Sequence, residues 1–168
     1  MATKVKFIST DKLREYSIIE KDVQDESLKV AIYKAQTVHV QKILGSSLYQ
    51  DLYNKISGGT LTSSVDLTLM NDHVVPLTVE YASYEWHKHS AYKSANEGIM
   101  KPRNEHYDSA DLDEVKWVME GIKETAEILR AKTIDFLCDN ANDYPAYKDS
   151  TDDFLDPSEG GGFYMGIT

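Results

Sequence analysis

The sequence predicts an all-α fold: a small helical bundle with two long helices, about 76–94 and 110–138, shorter flanking helices, an extended N-terminal arm and a C-terminal tail. Apolar residues recur at three- and four-residue spacings in several stretches, the period of a helix with a buried face. Alternation of the strand kind is sparse. Gly45, Gly58-Gly59 and Pro76 fall where helices should end or begin.

Residues 1–9 read as a short extended arm, and Thr10 caps a single helical turn through Glu15. Ser17 to Asp22 reads as a connection. The first longer helix starts near Asp25, with Leu28, Ala31, Ile32, Ala35, Val38 and His39 on its apolar face, and Gly45 ends it as a left-handed cap. Ser46 or Ser47 caps the next helix, which buries Leu48, Leu52 and Ile56 with Tyr49 and Tyr53 beside them, and Gly58-Gly59 stops it. So short a link forces a tight corner between packed helices.

Residues 57–64 form a polar loop, and Ser64 caps a short helix holding Val65, Leu67, Leu69 and Met70. Pro76 suits the first position of a long helix. There Leu77, Tyr81, Tyr84 and Ala91 share one side and Val79, Ala82 and Trp86 another, so this helix should be packed from two directions. Ser94 to Ser109 reads as a long loop. Ser109 or Asp111 caps the longest helix, whose stripe of Leu112, Val115, Met119, Ile122, Ala126, Leu129, Thr133 and Phe136 alternates three- and four-residue steps, as in a helix–helix seam. Tyr144 to Tyr147 makes a final turn. The domain organisation is a helical body with its arm over 1–148 and an acidic, glycine-rich tail over 149–168.

The net charge of −10 disfavours sequence-independent binding to nucleic acid and docking on anionic lipid. Residues 139–168 hold seven acids against one base, Lys148, which is more than half of that charge. The single cysteine, Cys138, forms no internal disulfide and reads as a small buried or half-buried thiol. No long apolar segment of signal-peptide or membrane-spanning type is expected, which points to a reducing, soluble compartment or a particle assembled there.

Catalytic motifs find no support. His87 and His89 are two apart on a helix and point roughly 200° apart, so they cannot share one metal. There is no Glu-x-x-His, no His-Glu-x-x-His and no cysteine pair. Gly58-Gly59-Thr60 lacks the lysine of a phosphate loop, and Gly45-Ser46-Ser47 lacks the second glycine of a nucleophile elbow. The histidines therefore read as surface or satisfied groups, and the 11 tyrosines mostly as half-buried packing with a wet hydroxyl. No enzyme activity, cofactor or metal is assigned.

Several local phrases, in order, resemble the head–tail connector (adaptor, ring or head-completion) proteins of tailed bacteriophages. The strongest is Ala31-Ile32-Tyr33-Lys34-Ala35-Gln36 followed by Ile43-Leu44-Gly45-Ser46-Ser47-Leu48-Tyr49-Gln50-Asp51-Leu52-Tyr53, similar to a helix, Leu-Gly, Leu-Tyr, helix corner in that family. Val75-Pro76-Leu77 before Tyr81-Ala82, Glu97-Gly98-Ile99, and Tyr144-Pro145-Ala146-Tyr147 are similar to later elements. The likeness spans about residues 20–148.

It implies a structural subunit of the virion, assembled in the host cytoplasm. The subunit would form a ring, typically twelve-fold, beneath the portal protein. Its partners would be the portal, tail or other ring proteins and copies of itself. DNA would pass through an acidic channel without specific binding, and no membrane is involved. Read from the residues alone, since the likeness leaves out the tail, the arm, the 95–108 loop and the tail should reach neighbours, with Phe154, Leu155, Phe163, Tyr164, Met165 and Ile167 as the partner-binding anchors; the alternative for the tail is simple disorder. The competing reading from the residues is a small helical protein-interaction or regulatory module without catalysis.

Overall fold

A computed structural model of the chain describes residues 5–90, 93–95, 98–100 and 112–148. The fold is all-α, as the periodicity predicts. The helices are α1 (Thr10–Glu15), α2 (Asp25–Lys34), α3 (Gln41–Ser57), α4 (Ser64–Thr68), α5 (Val75–Ser90), α6 (Leu112–Asp139) and α7 (Pro145–Lys148). A two-stranded antiparallel hairpin, β1 (Lys93–Ala95) with β2 (Gly98–Met100), pairs Ser94 with Ile99 inside the segment expected to be loop. Three residues per strand are too few for alternation to show in the sequence.

Two π turns join these helices into longer runs. One, Ala35–Val40, links α2 to α3, and the other, Leu69–Val74, links α4 to α5. Each closes with a bond five residues back: the Gln41 N–H donates to the Gln36 carbonyl, and the Val75 N–H to the Met70 carbonyl. A π turn inserts a residue and shifts the phase of everything after it. The buried face of α2, formed by Leu28, Ala31 and Ile32, therefore continues through Ala35, Gln36, Val40, Ile43 and Leu44. Val38, expected on that face, is 45% exposed.

The second π turn corrects the expected start at Pro76. The helical run is already under way from Ser64, and the proline lies within it. A proline ring collides with the carbonyl four residues back and offers no N–H. The π turn immediately upstream widens the backbone there and takes up the mismatch. At its other end α5 is described to Ser90, and Lys93–Ala95, which overlaps the expected helix to 94, is strand.

Gly45 breaks the helix as expected, with φ 74° and ψ 158°, a conformation open to glycine alone rather than the left-handed helical cap. After it Leu48, Tyr49 and Leu52 are buried, as read from the sequence. The cap of α1 is Ser9, whose Oγ accepts from the Lys12 N–H at 3.1 Å, in place of Thr10. The expected caps of α6 at Ser109 or Asp111 lie outside the described residues.

The core is continuous. Leu13, Leu28, Ile32, Leu44, Leu52, Leu69, Leu77 and Leu137 are fully buried, and each contributes about 1.5–3 kcal/mol by leaving water. α5 lies at the centre, packed against α2 and the first π turn on one side and α6 on the other. On α6, Ala126, Thr133 and Leu137 are buried while Leu129 and Phe136 are half-buried. Cys138 is exposed, a correction to the expected sheltered thiol, because Leu137 takes the inward position beside it.

The described part of the arm, residues 5–9, packs on the body: Phe7 and Ile8 are buried, and Gln36, with no exposed surface, holds the backbone before them. Gln36 Nε2 donates to the Val5 carbonyl at 2.9 Å and to the Tyr49 hydroxyl at 3.3 Å, and its Oε1 accepts from the Phe7 N–H at 3.1 Å. An amide with two donors and an acceptor can satisfy a non-helical strand of backbone inside the core.

Gly45→Ala should cost about 1–3 kcal/mol, the strain of a side chain in that backbone region. Urea unfolding followed by circular dichroism measures it, and an unchanged midpoint would show that the corner does not hold that geometry.

Candidate functional site

A polar seam crosses the centre of the bundle. His39, in the first π turn, donates from Nε2 to Glu85 Oε1 on α5 at 3.0 Å. Glu85 is 6% exposed, so its carboxylate depends on that donor. The imidazole stacks on Tyr81 with centroids 4.3 Å apart and meets Tyr84 edge-on. The Tyr81 hydroxyl donates to Glu127 Oε1 of α6 at 3.1 Å. Burial, joined by the Glu127 carboxylate, pushes the Tyr81 phenol up to about 12, so it stays protonated and keeps donating. The seam links the π turn, α5 and α6 through groups that have their partners inside the protein.

The arrangement bridges three elements of the fold. An imidazole beside a carboxylate is the raw material of acid–base catalysis, which also needs an open face towards a substrate. One face of His39 is covered by Tyr81, and its Nε2 is engaged. His87 and His89 do not meet, as their spacing predicts: His87 Nδ1 donates to the Ser83 carbonyl at 2.8 Å, while His89 Nε2 contacts the Lys34 ammonium. His73 stacks on Phe136 at 4.0 Å. Among the described residues no group of three or more histidine, cysteine or carboxylate side chains could hold a metal ion. Nor is any described helix long and apolar enough to cross a membrane.

Charged groups at the periphery serve the same joining role. Lys55 on α3 reaches Asp51 at 2.6 Å and Asp66 of α4 at 3.0 Å, closing the loop between those helices. Burial pulls the Lys55 ammonium down, but the two carboxylates outweigh it and the net shift is upward. Arg14 bridges Asp11, the Val23 carbonyl and Asp25, and its bond to Asp25 holds that carboxyl below the ordinary range.

Two surface depressions flank α5. One, of about 530 Å³, lies between α2 and the end of α5, with Asp22, Val23, Val30, Ala31, Trp86 and His89 among its lining residues. The other, of about 420 Å³, lies between α1 and the start of α5 and includes Tyr16, Pro76 and Glu80. Burial raises the Glu80 carboxyl. The largest exposed apolar side chain on α6 is Trp117, at 76%.

The anchors expected from the sequence, Phe154, Leu155, Phe163, Tyr164, Met165 and Ile167, lie outside the described residues, as does most of the 95–108 loop. Sequence reasoning placed His39 on an inward face but missed Gln36, Glu85 and Trp117. The phase of the α6 stripe was the available signal for Trp117, which falls on the side opposite Met119, Ile122 and Ala126. Gln36 and Glu85 carried no such signal, because isolated polar residues in a helical sequence read as solvent-facing.

Burial lowers both His73 and His87 below the ordinary 6.5. The unfolded chain then binds protons more readily than the fold, so this stabilisation is present above 6.5 and is lost as pH falls through the lower folded values. Wild type should lose stability between pH 7 and pH 5, and the His73→Gln/His87→Gln double variant should lose less. Urea midpoints across that range measure it; equal losses would contradict the assignment.

Comparison with known proteins places this architecture within a family whose activity is undefined. No curated protein and no solved structure matches the chain. A family described as of unknown function (DUF6712) matches residues 40–152, roughly two thirds of the sequence, from the end of the first π turn to just past α7. The chain belongs to this family of unknown function, DUF6712.

Proposed function

We propose that this chain is a structural ring subunit of the head–tail connector type in a tailed bacteriophage. It would sit beneath the portal protein, joined to tail or other ring proteins and to copies of itself, with DNA passing through the channel unbound. The observation that carries this reading is the helical corner. The phrase over residues 31–53 that resembles the connector family folds as two helical segments broken at Gly45, with Leu44, Leu48 and Leu52 turned into one core.

Two further features support it. The polar groups of the interior are spent on linking helices, which suits a scaffold. The charge of −10 suits a wall past which DNA slides, since acidic surfaces do not hold phosphate. No cofactor and no catalytic step enter the proposal.

The expected result in electron microscopy of particles is a ring of this chain at the portal vertex; its absence from particles would refute the reading. Removal of residues 149–168, which carry Phe154, Leu155, Phe163, Tyr164, Met165 and Ile167, should abolish or weaken assembly with the portal and tail proteins while far-ultraviolet circular dichroism stays unchanged. Unaltered assembly would refute the docking role of the tail.

A further inference from the structure

The depression of about 420 Å³ between α1 and the start of α5 gathers charged groups that the fold itself leaves unmatched. On α5, Val75 and Val79 are buried, while Pro76 and Glu80 are half-buried. Four-residue spacings set these side chains in two neighbouring rows, so Glu80 borders an apolar floor. Burial raises the Glu80 carboxyl, and no hydrogen bond or ion pair to another described residue offsets it. Lys12 lines the same depression from α1. Its ammonium lies over the Tyr16 ring, 5.7 Å from the centroid, and among the described residues it pairs with no carboxylate, Glu80 included.

The backbone adds an acceptor. The Val75 N–H is spent on the Met70 carbonyl, and Pro76 has no N–H to give. The Asn71 carbonyl therefore has no helical donor at either the four- or the five-residue spacing, and Asn71 also lines the depression. The α5 side thus supplies a carboxylate and a carbonyl, and the α1 side an ammonium. Polar groups without a partner inside the protein depend on water or a ligand for one.

We infer that this depression binds a small zwitterion of the amino-acid class, its ammonium toward Glu80 and the Asn71 carbonyl, its carboxylate toward Lys12, and an apolar side chain over Pro76 and Val79. A primary ammonium carries three donors, enough for both acceptors. An amine alone would meet Lys12 as a like charge, and a carboxylate alone would meet Glu80. The pair of opposite charges therefore selects a molecule that carries both. Small-ligand pockets of roughly 300–1,000 Å³ share this make-up, apolar walls with a few placed polar groups. The site needs only α1, the second π turn and α5 of one chain, so it stands apart from the ring reading.

Isothermal titration of the full chain with L-leucine tests the site, beside isoamylamine and isocaproate, which keep the carbon skeleton but only one charge each. Leucine should bind in the millimolar range, as suits so small a ligand, and roughly fivefold tighter than either analogue. Glu80→Gln should weaken leucine roughly fivefold without weakening isocaproate, and Lys12→Met should weaken leucine by a similar factor without weakening isoamylamine, both with circular dichroism unchanged. In nitrogen–proton correlation spectra the amides of Tyr16, Asn71 and Val79 should shift along the same saturation curve. No binding of leucine at tens of millimolar, leucine binding no tighter than the analogues, shifts confined to other parts of the chain, or Glu80→Gln binding leucine like wild type would overturn the assignment.

Discussion

A helix with apolar side chains on two sides must be covered from two sides, and the rest of this fold follows from meeting that demand for α5. Leu77, Val79, Tyr81 and Ala82 leave little of its circumference to water. α2 and the first π turn cover one side and α6 covers another. The polar groups that accompany this burial, Glu85 and the Tyr81 hydroxyl, then need internal partners, and His39 and Glu127 supply them across the two seams. The bundle is thereby pinned in register as well as drawn together.

The two π turns keep that cover aligned. Without the inserted residue between α2 and α3, Val38 would face inward and Gln36 would lose its place among Val5, Phe7 and Tyr49. Without the one before α5, Pro76 would collide with the preceding turn. Both insertions cost regular hydrogen bonding, and both sit where a buried group gains a partner or a clash is relieved.

These insertions explain where the sequence was legible and where it was not. The all-α class, the break at Gly45, the two-sided packing of α5 and the inward run of Leu48 and Leu52 follow from composition and period, because each is a local pattern. Val38, Pro76 and the burial of Phe7 and Ile8 could not be read the same way. A phase shift depends on what the far side of the helix meets, and the arm is held by a glutamine some thirty positions away in sequence. Among candidate site residues, the outward aspect of Trp117 was latent in the α6 period. The groove beside Trp86 exists only once α2 and α5 are brought together.

If α5 organises the fold, its backbone should open only when the whole molecule unfolds. Native-state hydrogen exchange tests this most directly. The amides of Thr78 to Glu85 should be the slowest in the chain, with opening free energies equal to that of global unfolding. Faster exchange there than in α2 or α6, or a partial opening that releases α5 while the other helices stay closed, would contradict the account.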